Sequence, residues 1–321
     1  MATPRRQQIC LEQTPYYHCI SRCVRRAFLC GIDKLTGRSF EHRRALIERR
    51  LHELVTIFSI DVAAYAIMSN HYHVILRVDQ DATQRWSDAE VIERWGRLFK
   101  LPECVQDFAR GEALDGESRT QAEQWIATYR ARLASISWFM KCLNTNIARA
   151  ANKEDDCTGR FFEGRFKCQA LLDEAALLKC MAYVDLNPVR AKTAESAETA
   201  THTSMVRRLS TQPTVLLPFT DDLRPSAEMS ERPHWHEPPC IPFTFADYRA
   251  LVAWTEESPE GRTRKPTPAI LRAHDIDRRA WVGIMSRGAL SRPRVLGAAR
   301  RIREFAQAVG QSWLWGETLP S

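Results

Sequence analysis

Residues 69–76 read Ser-Asn-His-Tyr-His-Val-Ile-Leu and place two histidines, His71 and His73, one residue apart. The alternation of residue types is typical of a β-strand whose successive side chains point to opposite faces. Such a strand would direct Tyr72 and Val74 into the core and leave both imidazoles side by side on an open face of the sheet. Neutral imidazoles so placed can bind one metal ion. Two polar residues on the solvent side of an antiparallel strand would give the same pattern.

A second segment lies more than a hundred residues downstream, where residues 181–191 read Met-Ala-Tyr-Val-Asp-Leu-Asn-Pro-Val-Arg-Ala. It closes a predicted helix that begins near Asp173 and has one apolar face. Tyr183 and Asn187 are four residues apart and therefore share a flank of this helix. Pro188 predicts that the helix ends near Asn187. A tyrosine at the core edge and an asparagine cap would be the purely structural interpretation.

Together the two segments resemble the single-tyrosine HUH nucleases. The run at 183–191 resembles more specifically the REP-associated tyrosine transposases, relatives of the insertion-sequence-200-like transposases. Further matches are residues 15–22, Pro-Tyr-Tyr-His-Cys-Ile-Ser-Arg, and residues 159–167, Gly-Arg-Phe-Phe-Glu-Gly-Arg-Phe-Lys. The resemblance covers residues 14–195. The chain departs from the family in having Tyr72 at a position that usually holds a smaller or aliphatic residue, and in the long segment that follows residue 195.

The resemblance implies that Tyr183 is a nucleophile. It also implies that His71, His73 and Asn187 hold a divalent cation, magnesium or manganese, which suits a mixed nitrogen and oxygen site. Attack of the phenol on a DNA phosphate would give a phosphotyrosine bond and a free 3′-hydroxyl. A second hydroxyl could reverse the step, so strand joining would need no nucleoside triphosphate. Lys179, one turn before Tyr183, is a candidate cation for lowering the pKa of the phenol; an exposed lysine without a role is an equal alternative.

The partner implied by the resemblance is single-stranded, hairpin-forming DNA of the repetitive extragenic palindrome type. An open sheet face would admit a splayed single strand more readily than a duplex. Phe161 and Phe162 are predicted stacking surfaces. The basic residues predicted to line the DNA path are Arg22, Arg25, Arg26, Arg160, Arg165 and Lys167. For each of them a solvated surface charge is an equal alternative.

The charge distribution also favours a polyanionic partner. The chain has a net charge of +7. Between Arg262 and Arg303 twelve lysines and arginines stand against two aspartates, so the basic character is concentrated near the C-terminus. This density favours phosphate contact. Two short helices predicted at 270–284 and 294–309, around a Ser-Arg-Gly turn, would form a helix-turn-helix-like arrangement.

Composition restricts the class of protein. The chain has 321 residues, enough for two units. No stretch approaches the roughly 20 apolar residues of a membrane span, and the N-terminus lacks a signal-peptide core. Ten cysteines occur without a Cys-x-x-Cys pair, which predicts free, mostly buried thiols. We therefore expect a cytoplasmic protein with no membrane partner, and the resemblance implies nucleoid association and a monomer.

The predicted fold class is α+β, a ferredoxin-like split βαβ antiparallel sheet with a helical insertion, followed by a mostly helical C-terminal extension. Strands are predicted at 16–24, 60–68, 71–78 and 165–172, and helices at 40–59, within 84–150 and at 245–254. The predicted domains are a catalytic domain at 1–195, a linker or irregular wrap at 196–242, and a basic helical extension at 243–321.

The sequence supports two main functional hypotheses. The first is an active DNA-nicking and strand-transferring transposase, which is favoured because His71, His73, Tyr183 and Asn187 occur together. The second is a catalytically inactive, domesticated DNA-binding protein that recognises repetitive palindromic elements. A hydrolytic phosphodiesterase that uses metal-bound water is a third, less favoured alternative.

Overall fold

The computed structural model describes residues 4–24, 29–33, 36–211, 215–222, 239–257, 265–286 and 293–318. Within these ranges the chain has an α+β fold. The strands are β1 (Tyr16–Arg22), β2 (Ile60–Ile67), β3 (His71–Val78), β4 (Lys167–Leu171), β5 (Val295–Gly297) and β6 (Gly316–Thr318). The helices are α1 (His42–Val55), α2 (Gln80–Arg85), α3 (Asp88–Gly96), α4 (Glu103–Arg110), α5 (Gly116–Leu133), α6 (Ile136–Glu154), α7 (Glu174–Asp185), α8 (Asn187–Arg190), α9 (Ser204–Leu209), α10 (Phe245–Glu256), α11 (Ala269–Ala273), α12 (Arg278–Ser286) and α13 (Ala299–Ala308).

The strands form a single mixed sheet in the order β2-β3-β1-β4-β5-β6. Strand β4 pairs antiparallel with β1, which sets His18 opposite Gln169. Strand β5 runs parallel to β4, and β6 runs parallel to β5. The prediction of an antiparallel sheet is therefore wrong for the two strands that the C-terminal segment adds. Each of these strands is only three residues long, too short to show an alternating pattern in the sequence.

Most elements before residue 190 agree with the predictions from periodicity. The strands predicted at 16–24, 60–68, 71–78 and 165–172 are confirmed as β1 to β4. The helix predicted at 40–59 is confirmed with the shorter bounds of α1. The helical insertion breaks where proline and glycine predicted it. Pro102 precedes α4 in an extended conformation, and Gly111 ends that helix with a φ of 72°. Glycine adopts this left-handed conformation without a steric penalty, so it is a good helix terminator.

The C-terminal segment differs more from its predicted structure. The helix expected at 270–284 is divided into α11 and α12, with Asp275 between them at a φ of 54°. The helix expected at 294–309 begins only at Ala299, after strand β5. The turn proposed between the two predicted helices falls largely on residues 287–292, which lie outside the described residues. The segment predicted as a linker or irregular wrap contains α9 and buries Met205 and Leu217.

The chain divides into two compact units. The first comprises the described residues within Met1–Ile20, Val62–Leu76 and Lys167–Ser321, and the second those within Ser21–Asp61 and Arg77–Phe166. The predicted domain boundaries after residues 195 and 242 both fall within the first unit.

All ten cysteines are free and lie in described parts of the chain, most of them buried. Within the same residues no helix is long and apolar enough to cross a membrane.

The core of the first unit covers the sheet face that carries the histidines. Ile75 of β3, on the same face as His73, is fully buried and packs in one cluster with Leu177 and Met181 of α7. Val74, on the opposite face, is also fully buried. The prediction of an open histidine-bearing face is therefore wrong, because β3 is buried on both sides as a central strand. The apolar residues on both of its faces are consistent with this position.

A buried carboxylate anchors the end of α7 in this core. Asp185 accepts hydrogen bonds from Ser204 Oγ (2.7 Å), from the Met205 backbone N–H (3.2 Å) and from the Tyr248 hydroxyl. Burial raises the pKa of this carboxyl above its ordinary value, although the hydrogen bonds oppose the shift. The Asp185 carboxyl therefore binds a proton more tightly in the folded protein than in the unfolded chain. Its contribution to the free energy of unfolding is largest at low pH and falls as the pH rises above 3.8.

We expect Asp185→Ala to lower the free energy of unfolding by about 3 kcal/mol, because it leaves several buried donors without an acceptor. Asp185→Asn keeps an acceptor for Ser204 and Met205, and its amide can donate to the Tyr248 hydroxyl. The asparagine variant should therefore stay close to the wild type and lose the pH dependence due to this group. Urea unfolding at several pH values measures both effects. Equal destabilisation by the two variants would contradict this account.

In the second unit a buried arginine joins α1 to the end of α6. Arg43 is 1% exposed, its Nε lies 2.7 Å from Glu154, and its terminal nitrogen pairs with Asp155. We expect Arg43→Met to cost about 2 kcal/mol of unfolding free energy, since it breaks both ion pairs of a buried guanidinium, although Glu154 keeps its exposed partners Arg38 and His42. Arg119→Met is the matched control, because its pair with Glu123 is exposed and should contribute nothing measurable. Equal unfolding midpoints for the two variants would contradict this assignment.

Candidate functional site

The two histidines of β3 lie close together in the first unit but differ in burial. Their ring centroids are 4.8 Å apart and the rings meet edge to face. His73 is fully buried, whereas His71 is partly exposed. The His71 Nδ1 lies 2.6 Å from the side-chain oxygen of Asn70 in the preceding turn. The pair thus has one face within the core and one side open to solvent at His71.

Helix α7 brings the tyrosine to this pair. Its N-terminus is capped by the Asp173 side chain, which accepts from the Ala176 N–H. The apolar face predicted for this helix is buried, and Tyr183 on its flank is partly buried against the core. The centroid of the Tyr183 ring lies 5.8 Å from that of His73. The helix ends at Asp185, so Asn187 begins the short helix α8 rather than ending α7.

The structure therefore gathers His71, His73, Tyr183 and Asn187 in one place. The Nδ2 of Asn187 lies 3.4 Å from the Nε2 of His73 and is positioned to donate to it. Rotation of this carboxamide would present its oxygen instead. Two imidazoles and one carboxamide oxygen are a suitable donor set for a divalent cation with open positions. Among the described residues no cluster of three or more His, Cys, Asp or Glu could hold a metal.

Two residues of this cluster were not singled out from the sequence. The His18 Nε2 lies 2.9 Å from the His73 Nδ1, and the two rings stack at 5.1 Å. The guanidinium carbon of Arg190 lies 5.1 Å from the centroid of the Tyr183 ring. Both residues stand inside motifs that carried the resemblance, but no spacing rule connects β1 to β3 or orients Arg190. Lys179 pairs instead with Glu317 at 2.8 Å, so its proposed role beside the phenol finds no support.

The predicted DNA-binding residues are mostly exposed. Arg160, Arg165 and Lys167 are exposed, and Arg22 is exposed beside Glu163, with a nitrogen–oxygen distance of 3.6 Å. Arg25 and Arg26 lie outside the described residues. The interpretation of Phe161 and Phe162 as stacking surfaces is wrong. Both rings are buried and pack edge to face on each other at 5.1 Å, so they belong to the core of the second unit.

Comparison with known proteins gives one weak similarity. No protein-family model matches the chain, and no curated protein matches it. A solved structure of a REP-associated tyrosine transposase bound to a REP hairpin is similar at a TM-score of 0.38 and 12% sequence identity. The match covers 66% of this chain and 89% of that one. A similarity of this size carries no functional conclusion.

Proposed function

We propose that this chain is a metal-dependent, single-tyrosine DNA-nicking and strand-transfer enzyme that acts on single-stranded, hairpin-forming DNA. The observation that carries the proposal is the convergence of two pairs of residues, one on β3 and one at the end of α7 and the start of α8, that are more than a hundred residues apart in the sequence. The Tyr183 ring lies 5.8 Å from the ring of His73, which in turn neighbours His71 and Asn187. A nucleophile beside two imidazoles and a carboxamide is a constellation that a DNA-binding protein does not need.

The chemistry assigned to Tyr183 is a transesterification. The phenol loses its proton and its oxygen attacks phosphorus, forming a tyrosine–phosphate bond. The bond from phosphorus to the 3′-oxygen breaks, and that oxygen leaves as a 3′-hydroxyl after protonation. A different 3′-hydroxyl can then attack the phosphotyrosine and release Tyr183. One phosphodiester is broken and one is made, so the overall exchange needs no external energy source.

His71, His73 and Asn187 would hold the divalent cation, magnesium or manganese. When bound, such a cation polarises a non-bridging phosphate oxygen and stabilises the charge of the transition state. Arg190, exposed and beside the Tyr183 ring, would contribute a fixed positive charge near the attacked phosphate. His71, Tyr183 and Asn187 are partly exposed and Arg190 is exposed, so DNA would approach from their side rather than across an open sheet face.

The fold around this site is proposed to be a ferredoxin-like split βαβ sheet. Along the chain β1, α1, β2, β3, a helical segment and β4 follow one another as that fold requires. The exposed Arg22, Arg160, Arg165 and Lys167 remain proposed DNA contacts, and the basic residues near the C-terminus remain proposed phosphate contacts. The expected substrate is a hairpin beside a short single-stranded segment.

The test is incubation of the full chain with manganese and a labelled oligonucleotide that carries a hairpin with single-stranded flanks. The expected product is a covalent protein–DNA adduct that survives denaturation and is removed by protease, together with a free 3′-hydroxyl on the other fragment. Binding without cleavage under magnesium and manganese would favour the catalytically inactive DNA-binding alternative. Cleavage without an adduct would favour hydrolysis.

A further inference from the structure

A chain of buried hydrogen bonds runs from the C-terminal segment to the histidine pair, entirely within the first unit. The Nε2 of Gln169 donates to the backbone carbonyl of Pro293 at 2.7 Å. The Oε1 of the same amide lies 3.3 Å from the His18 Nδ1, and the His18 Nε2 lies 2.9 Å from the His73 Nδ1. His18, Gln169 and His73 are at most 8% exposed, so protein groups rather than bulk water set the polarity of these bonds.

The direction of each hydrogen bond in this series follows from the first acceptor, the Pro293 carbonyl. A backbone carbonyl can only accept, so the amide nitrogen of Gln169 faces Pro293 and its oxygen faces His18. That oxygen can only accept, so the proton of a neutral His18 is on Nδ1 and its Nε2 carries a lone pair. This lone pair in turn accepts from Nδ1–H of His73. The remaining nitrogen of a neutral His73, Nε2, therefore presents its lone pair.

The contact with Asn187 is consistent with this direction. The Nδ2 of Asn187 approaches the Nε2 of His73 at 3.4 Å as a donor, which requires a lone pair on that nitrogen. The Nε2 of His73 is also the nitrogen that faces the proposed third ligand. A histidine that binds a metal commonly donates its other N–H to a neighbouring acceptor, which fixes the tautomer and the orientation of the ring.

The position of the Pro293 carbonyl depends on strand β5. Ala170 of β4 pairs with Val295, and its N–H donates to the carbonyl of Arg294 at 3.0 Å. The same parallel pairing holds the preceding residue, Pro293, beside the Gln169 side chain. The C-terminal segment thus reaches the histidine pair through the sheet, in addition to any contact it makes with DNA.

We infer that Gln169 and His18 are positioning residues that hold His73 in the tautomer with its proton on Nδ1, and that the Pro293 carbonyl sets this polarity. The consequence for metal affinity rests on the proposed function, but the tautomer itself does not. The assignment gives the C-terminal segment a role in preparing the site before any metal or DNA binds.

The first test is long-range proton–nitrogen NMR on the metal-free full chain labelled with ¹⁵N-histidine. Both His18 and His73 are expected in the form with the proton on Nδ1. Gln169→Met, which keeps the volume and removes both polar atoms, should give His73 a measurable population with the proton on Nε2. A wild-type His73 with its proton on Nε2 would overturn the inference whatever the variants do.

The second measurement is manganese affinity, followed by paramagnetic relaxation or calorimetry. Gln169→Met should weaken manganese binding about 10-fold to 100-fold. Thr14→Val is the matched control, because it removes a buried hydrogen bond to the Leu171 carbonyl at the C-terminal end of β4 and changes neither Gln169 nor a histidine. The control should lower the melting temperature and leave the tautomer and the affinity unchanged.

The tautomer and the manganese affinity of Gln169→Met, compared with DNA cleavage by the wild type, test this inference separately from the proposed function. A tautomer shift in Gln169→Met supports the inference even if the wild type cleaves no DNA. Cleavage by the wild type, with an unchanged tautomer and unchanged manganese affinity in Gln169→Met, would overturn the inference and leave the nuclease proposal standing. A loss of thermal stability alone, equal to that of Thr14→Val, would also overturn it.

Discussion

Tyr183→Phe should abolish the covalent protein–DNA adduct and lower the rate of hairpin cleavage about 10⁴-fold or more, because the variant has no oxygen to attack phosphorus. Hairpin binding should remain within about twofold of the wild type, since the ring itself stays packed against the core. The measurement is single-turnover cleavage of a labelled hairpin, with adduct and free strand quantified on a denaturing gel and binding measured by fluorescence anisotropy.

The matched control for this experiment is Tyr16→Phe. Tyr16 also packs partly buried against the core of the first unit, and its hydroxyl lies 3.3 Å from the Cys240 carbonyl. It belongs to β1 and has no assigned part in the reaction, so this variant should keep its cleavage activity. Undiminished cleavage by Tyr183→Phe would instead identify water as the nucleophile and make the protein a hydrolytic phosphodiesterase.

His73→Ala should reduce cleavage about 10³-fold, because loss of the cation removes several kcal/mol of transition-state stabilisation. The effect should appear first as loss of manganese binding in the absence of DNA. His73 is fully buried and in contact with His18, so its removal also leaves a cavity and an altered partner. Circular dichroism and thermal melting are therefore needed to show that the variant remains folded.

The control for the histidine experiment is His202→Asn. His202 adopts a left-handed backbone conformation with a φ of 58°, which asparagine tolerates well. This variant should bind manganese and cleave DNA as the wild type does. Full activity of a folded His73→Ala protein, or activity that persists in strong chelator, would contradict the assigned metal site.

The local elements before residue 190 could be predicted from the sequence because they depend on short-range patterns. The alternation at 71–78, the apolar face of α7 and the breaks at Pro102 and Gly111 each follow from backbone geometry and side-chain polarity. Strands β5 and β6 could not be predicted in this way. Three residues are too few to show a period, and their hydrogen bonds are to partners distant in the sequence.

The histidine-bearing face is buried, although the alternation of residues in β3 predicted an open face. Alternation within β3 assigns side chains to faces but does not say whether another layer covers the polar face. The buried Ile75 shows that the face is covered, and this moves the proposed DNA approach to the side of His71 and Arg190. The burial of Phe161 and Phe162 could not be predicted for the same reason, because it depends on packing partners that no local pattern identifies.

The sequence by itself determined the residue types of the site and the elements that carry them, because periodicity and motif order are properties of a short stretch of chain. Only the tertiary structure decided that His71, His73, Tyr183 and Asn187 meet, and that His18 and Gln169 stand behind them. These contacts join strands and helices that are up to 151 residues apart. Their distances follow from strand order and helix packing, which depend on the whole chain.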